Sequence, residues 1–272
     1  RNQLRCHYCS YMMSMQTSCG ACGGLEINSK GFGTEQIQEE IELLFPNAKV
    51  ARMDLDTTRG KHSYDRIISS FENKEVDILV GTQMVTKGLD FRFVKLVGVL
   101  NADQLINFPD FRAHERSYQL LQQVSGRAGR TDVRGKVIIQ TYNPHHAILQ
   151  QVSINDFESM FAEQLEERRI YKYPPFCRII KFTLKHKDYN KVNDGAEWLA
   201  ISLRRVFDVN VLGPEFPPVS RIRNQYHKNI LLKIPQNHSL LKTKSAINKI
   251  KTTFLSTKDY RGVSVIVNVD NY

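Results

Sequence analysis

Apolar positions along the chain change spacing in a regular way. From Thr34 to Leu44 they recur at helical intervals, with Ile37, Ile41, Leu44 and Phe45 on one face; this predicts a helix that Pro46 stops. Thr34 stands where an N-cap belongs. Ala48 to Met53 reads as a strand, Ser63 to Phe71 as a helix and Asp77 to Val80 as a buried strand. Leu96 to Leu100 is a further strand, Arg112 to Ala128 a long helix and Gly135 to Thr141 a strand. Strands alternating with helices imply an α/β lobe with a parallel sheet.

A Glu- and Arg-rich helical pattern then runs from Asn155 to Tyr171 and breaks at Tyr173-Pro-Pro-Phe176. The pattern restarts with a strand at Arg178–Lys185, a helix at Tyr189–Phe207 and a short strand at Val209–Leu212. A strand around Lys228–Ile234, a helix at Leu240–Phe254 and a strand at Val263–Val269 complete it. That order predicts an α+β, βαββαβ-like domain with both helices on one face. Four parts are expected: a cysteine segment at 1–24, the α/β lobe at 25–150, a helical connector at 151–172 and the α+β domain at 173–272.

Charge adds a partner class. The 272 residues carry a net +10, and from Tyr173 onward 17 Lys and Arg stand against 7 Asp and Glu. The excess therefore sits in the last domain, and nucleic acid is the natural partner for it. An acidic protein tail is the other partner such charge fits. No apolar run approaches the ~18 residues of a membrane span, no signal peptide opens the chain, and no membrane partner is expected. Without an initiator Met, the chain reads as a fragment of something longer.

Four of the five cysteines form two CxxC pairs, Cys6/Cys9 and Cys19/Cys22. In an otherwise cysteine-poor chain this spacing points to zinc held by thiolates rather than to disulfides. Cys177 stands alone and reads as a small core residue.

Two segments carry the candidate chemistry. In Ile78 to Phe91 a buried strand opens into a loop, at the sheet edge where α/β folds bind ligands. Thr82 and Gln83 are placed to donate to a nucleic-acid phosphate, Gly88 permits close approach to a nucleotide, and Asp90 is suited to orient ribose or water. Arg52 ends a strand at the same kind of edge, and Asp54 and Asp56 read as turn and cap residues, with metal binding the weaker alternative. In Gln123-Val-Ser-Gly-Arg-Ala-Gly-Arg130, Arg127 and Arg130 each follow a glycine at a helix end. Arginine forks onto phosphate oxygens, and such a pair suits charge developing on a transferred γ-phosphate. Near the C-terminal domain's predicted middle strand, Arg221, Arg223, Tyr226, His227 and Lys228 combine cations with an aromatic ring. They suit a grip on a nucleic-acid backbone, a solvated strand edge, or, with Gln225 and Asn229, contact with an acidic tail.

Gln123 to Arg130 resembles motif VI (QxxGRxGR) of superfamily 2 helicases, and the TQM…KGxDF run from Thr82 to Phe91 resembles their motif V. The GTE…LFPxAxVxRxDxDT run, the LRCHYCxY…CxxCG segment, Tyr173-Pro-Pro-Phe176 and Gly213-Pro-Glu with Pro217-Pro218 are similar to the primosomal protein N′ family in particular. The resemblance covers nearly the whole chain and implies the C-terminal part of an ATP-dependent 3′→5′ DNA helicase that acts at stalled or branched forks in replication restart. It implies that Gly88, Asp90, Gln123, Arg127 and Arg130 face nucleotide, with Arg130 the first choice for an arginine finger. Arg52, Thr82 and Gln83 would contact DNA. It also implies forked and single-stranded DNA, the C-terminal tail of single-stranded-DNA-binding protein, other primosome proteins and the replicative helicase loader as partners. The setting implied is the bacterial cytoplasm, at the nucleoid. The family holds two zinc ions with four CxxC pairs; the two pairs here look like the third and fourth, so Cys6, Cys9, Cys19 and Cys22 would ligate metal within a larger set. The chain contains no G-x-x-x-x-G-K-[ST] loop and no Asp-Glu pair, so ATP and Mg²⁺ are expected to bind mainly a lobe outside it, and the chain alone should not hydrolyse ATP. Two rivals are weighed: another superfamily 2 translocase, such as a branch-migration helicase, and a non-catalytic zinc-bearing DNA adaptor.

Overall fold

The computed structural model describes residues 3–5, 12–14, 18, 24, 33–58, 60, 62–86, 93–126 and 135–270. Near the start, β1 (Gln3–Arg5) and β2 (Met12–Ser14) pair antiparallel, with Leu4 opposite Met13. The two strands bracket Cys6 and Cys9 in sequence; all four CxxC cysteines lie outside the described residues.

Residues 28–164 form one compact unit. Its elements are α1 (Thr34–Leu44), β3 (Val50–Met53), α2 (Ser63–Glu72), β4 (Ile78–Gly81), β5 (Leu96–Val99), α3 (Asp103–Ile106), α4 (Ala113–Ser125), β6 (Lys136–Ile139), α5 (Ala147–Ile154) and the start of α6 (Phe157–Ile170). The strands form two parallel pairs, β3 with β4 and β5 with β6, in register from Val50↔Ile78 to Met53↔Gly81 and from Leu96↔Lys136 to Val99↔Ile139. Parallel pairing needs a crossover, and α2 supplies it between β3 and β4. Met53, wholly buried, packs with Ile67, Ile68 and Phe71 of α2. Around the other pair, Tyr118 and Leu121 of α4, Ile148, Leu149 and Val152 of α5 and Met160 of α6 share a core with Val99 and Ile139.

Several expectations are corrected here. Thr34 does not cap α1: Gly33 holds the N-cap position, and the Thr34 hydroxyl donates to Asp54 Oδ2 instead, a tertiary bond displacing a local one. Of the face read as Ile37, Ile41, Leu44 and Phe45, the first two are half-buried and Leu44 and Phe45 are 72% and 55% exposed. The helix read at Asn155–Tyr171 is α6, Phe157–Ile170, while α5, Ala147–Ile154, precedes it and was not read from the sequence. His146 Nδ1 accepts from Ile148 N at the start of α5, and Asn155, at φ 58°, ends it in a left-handed conformation that asparagine tolerates.

Residues 165–272 group with residues 1–27 in a second unit. It carries β7 (Cys177–His186), α7 (Tyr189–Phe207), β8 (Val211–Glu215), β9 (Arg221–Ile222), β10 (Gln225–Pro235), α8 (Leu240–Ser256) and β11 (Ser264–Val269). All pairings are antiparallel, in the order β11-β7-β10-β8, with β9 paired to the start of β10. Strict alternation aims Ile180, Phe182 and Leu184 of β7 and Ile230, Leu232 and Ile234 of β10 at one side. There they meet Val192, Ala196, Leu199, Ala200 and Leu203 of α7, and Ile247 and Phe254 of α8. Both helices therefore lie on one face, and Cys177 is buried as expected. Asp188 and Ser239 cap α7 and α8, accepting from the N–H groups of Lys191 and Lys242. Among the described residues, no helix is long and apolar enough to cross a membrane.

Candidate nucleic-acid interface

The carboxyl ends of β3 and β4 lie side by side, because the parallel register puts Met53 opposite Gly81. A side chain at position 81 has no room: a Cβ there would sit 2.5 Å from the Met53 carbonyl oxygen and would overlap Val85. Glycine thus lets the chain turn tightly from β4 into the 3₁₀ turn Gln83–Thr86. Thr82 and Gln83 emerge exposed at this edge, with Thr82 N donating to the Met53 carbonyl. Gly88 and Asp90 lie outside the described residues.

Asp54 organises the neighbouring strand end. Its Oδ1 accepts from the N–H groups of Asp56 and Thr57, 3.0 Å each, and its Oδ2 faces Thr34 Oγ1 and Arg52 Nε, the latter at 3.2 Å. The turn role read from sequence is met, with a tertiary role added. Burial works to raise the Asp54 pKa, but the Thr34 hydroxyl, the Thr57 N–H and Arg52 together hold it below the usual carboxylate value. Such a group stabilises the fold above its unfolded pKa, and that contribution is lost as pH falls through the lower folded value. Asp54→Asn should therefore lower stability at pH 7 by about 2 kcal/mol, from unpaired donors in a buried site. The gap to wild type should narrow in acid; urea melts at neutral pH and near pH 3 measure it, and a gap independent of pH would refute the charge assignment.

Arg52 is held between Asp54 and Glu35, with Nη1 3.8 Å from the Glu35 carboxylate and its side chain 19% exposed. Its Nε, close to Asp54 but poorly aligned, has no hydrogen bond. A shallow depression of about 520 Å³ beside it is lined by Glu35, Glu39, Glu42 and Arg52. Three carboxylates against one guanidinium repel phosphate, so the usable surface is the Thr82–Gln83 side of the edge.

The motif VI helix ends within the same unit. α4 buries Tyr118, Leu121 and Val124, while Gln123 is half-buried one residue before Val124. Gly126 forms its C-cap; Arg127 and Arg130 lie outside the described residues. A buried apolar stripe thus fixes the helix that leads into the arginines.

In the C-terminal unit, Arg223 and Asn224 form a two-residue hairpin between β9 and β10, at φ 49° and 59°. Two positive φ values make the turn a type I′ match for strand twist. Arg223 is exposed at this tip. Tyr226 lies edge-on to Tyr189, which stacks on Phe216, and the Arg221 guanidinium sits 5.0 Å from the Tyr226 ring. Lys228 points to the helix side, 11% exposed, 4.0 Å from Glu197 and 4.9 Å above Phe216. Arg223 and Tyr226 are therefore available at a surface, whereas Lys228 supports the aromatic group from beneath. The sequence reading missed Tyr189 and Phe216; only their aromatic character marked them.

Residues 169–272 match the family described as primosomal protein N C-terminal domain, and residues 29–132 match helicase conserved C-terminal domain. The chain is similar to replication restart protein PriA of Bacillus subtilis, 37% identical over 272 residues, covering 99% of this chain and 33% of that protein. The Treponema pallidum protein of the same name is 38% identical over 234 residues, covering 85% and 36%. That of Borreliella burgdorferi is 34% identical over 273 residues, covering 97% and 41%. The chain thus spans between a third and two fifths of the length of these relatives.

Proposed function

We propose, because the chain belongs to the PriA family, that it is the C-terminal part of an ATP-dependent 3′→5′ superfamily 2 DNA helicase that recognises stalled or branched forks and restarts replication. The observation that carries this reading is the order of parts in one chain. A helicase C-terminal lobe with Thr82 and Gln83 at a parallel strand edge and a QxxGRxGR run that begins in the last turn of α4 is followed by a basic primosomal C-terminal domain. In this reading Thr82 and Gln83 hold the DNA backbone, with Arg52 contributing once its carboxylate partners yield. Gly88, Asp90 and Gln123 adjoin the nucleotide, and Arg127 and Arg130 meet its γ-phosphate across the cleft from the P-loop lobe. ATP and Mg²⁺ supply the phosphoryl-transfer chemistry when bound to that lobe; this chain's residues sense the phosphate and pass its loss to the DNA grip.

Cys6, Cys9, Cys19 and Cys22 have the thiolate donor chemistry that suits zinc and would hold it within a larger set of cysteines. Forked and single-stranded DNA, single-stranded-DNA-binding protein and primosome proteins are the partners in this reading, in the bacterial cytoplasm. The test is forked-duplex unwinding by the intact protein. We expect unwinding only with ATP and Mg²⁺, with hydrolysis stimulated by DNA. DNA binding without DNA-dependent hydrolysis would replace the motor with the adaptor reading.

A further inference from the structure

The helix-free face of the C-terminal sheet carries positive charge that the domain does not neutralise. Alternation sends Lys181, Thr183 and Lys185 of β7 and His227, Asn229 and Leu231 of β10 to this side, opposite the core. The registers arrange them in rows. Ser264, Lys185 and His227 lie side by side across β11, β7 and β10; Ile266, Thr183 and Asn229 form the next row, and Asn268, Lys181 and Leu231 the third. Thr183 Oγ1 donates to Asn229 Oδ1 at 2.9 Å, which locks the middle of the face. Among the described residues no carboxylate lies within 4.0 Å of Lys181 or Lys185. The acid on the middle row is Glu215, at the β8 edge.

Lys185 faces His227 directly across the strands, and like charges in that position cost stability. The cost shows on His227, where burial and then the Lys185 charge hold the ring's pKa below its usual value. At neutral pH the ring is thus a neutral polar neighbour, and the row's charge is that of Lys185. Lys233, on the fourth row, is engaged: its Nζ donates to the Tyr171 carbonyl at 2.7 Å and lies 3.7 Å from the Tyr173 ring centroid. Lys181 and Lys185 are left as cations on one strand, about 13 Å apart, with Thr183 and Asn229 between them and Glu215 out at the β8 edge of that middle row.

We propose that this face, centred on Lys181 and Lys185, binds the phosphate backbone of single-stranded nucleic acid. The inference rests on the DNA-binding reading above and adds a surface distinct from the Arg221–Tyr226 aromatic group, since those side chains gather at the β9–β10 hairpin and the helix side. The charge complements a polyanion. The form also favours nucleic acid over an acidic peptide. Peptides dock by adding to a strand edge, by seating apolar anchors in a groove or, when acidic, on arginine clusters; the three rows carry no arginine, and Lys181 and Lys185 lie on β7, an interior strand with β11 and β10 on either side.

The experiment compares the intact protein with Lys181→Glu/Lys185→Glu and with Lys242→Glu/Lys244→Glu, an equal charge change on exposed α8 positions. A labelled oligothymidylate is titrated by fluorescence anisotropy at several salt concentrations, after thermal melts establish that each variant is folded. Lys181→Gln/Lys185→Gln repeats the test without charge reversal. We expect the β7 variants to weaken binding by about tenfold or more and to lower the salt slope by about 1.4, the value for two single-strand phosphate contacts. The α8 variant should keep the wild-type slope. Equal losses in the β7 and α8 variants, or an unchanged β7 slope, would overturn the proposal while the helicase reading stands. Failure of wild type to bind the oligomer would remove both. A β7 variant that loses only a labelled acidic peptide would assign the face to protein.

Discussion

Arg130→Ala, in an intact protein that joins this chain to its P-loop lobe, should lower DNA-stimulated ATP turnover by about 10³-fold while leaving DNA affinity within a few-fold of wild type. A thousandfold loss is about 4 kcal/mol of transition-state stabilisation, the scale of an arginine contributed to phosphoryl transfer. Tyr118, Leu121 and Val124 bury one stripe of α4, and its C-cap at Gly126 therefore stands in a fixed place. A helix so anchored ends at Gly126, and in the helicase reading glycine at 126 and 129 would permit close approach to a partner lobe. Arg130→Lys separates charge from shape. Lysine keeps the cation but loses the planar fork, so partial recovery would mark a bidentate phosphate contact. Single-turnover hydrolysis on forked DNA measures the effect. Normal turnover in Arg130→Ala would remove the finger role and move it to Arg127. Equal loss of turnover and DNA binding would make Arg130 part of the grip.

How far the sequence foretold the fold differed between the two units, for a physical reason. In the C-terminal unit the strands run to 10 and 11 residues and bury one face, so the period of two was visible in CRIIKFTLKH and QYHKNILLKIP. The α7 boundaries matched the expected Tyr189–Phe207 because Asp188 caps one end and the apolar stripe runs unbroken to the other. Val209 looked like strand but lies in a 3₁₀ turn: Asp208, at φ 49°, delays β8 to Val211. The β9–β10 hairpin went unseen since Arg223-Asn224 lacks the glycine that usually marks a type I′ turn. In the lobe the strands have four residues each, too short for alternation to speak, and their existence rested on apolar runs between helices.

The site was legible as motif and not as geometry. Thr82 and Gln83 were placed at a strand edge by the run that precedes them, and the structure puts them there. The need for glycine at 81 was hidden, because it comes from the Met53 carbonyl, 28 positions away. Thr34 was misread as a cap for the same reason: its partner Asp54 is 20 residues distant. Lys228 looked like a surface cation beside Tyr226; it shares that strand face, but Glu197 and the Phe216 ring, both distant in sequence, cover it.

Phe254→Ala should destabilise the C-terminal unit by about 3–5 kcal/mol, the range for truncating a buried phenylalanine. Phe254 is wholly buried on α8, stacks on Tyr260 at 5.1 Å with the rings 3° from parallel, and meets Trp198 of α7 at 5.7 Å. It thus ties the second helix to the first and to the turn that leads into β11. The packing leaves little room for relaxation: a Cβ added to Gly195 of α7 would lie 3.2 Å from Phe254 Cζ, so the helices meet with glycine on one side and the ring on the other. Removing the ring leaves a cavity between them that neither can close without leaving the sheet. Because Trp198 is the chain's single tryptophan, its fluorescence in urea reports this region directly. We expect the Trp198 transition of Phe254→Ala to move to much lower urea with an unchanged slope, and Gly195→Leu to produce a comparable loss by overpacking. A shift under about 1 kcal/mol in Phe254→Ala would mean that the α7–α8 contact does not carry the domain's stability, and the sheet core around Phe182 and Ile230 would take that place.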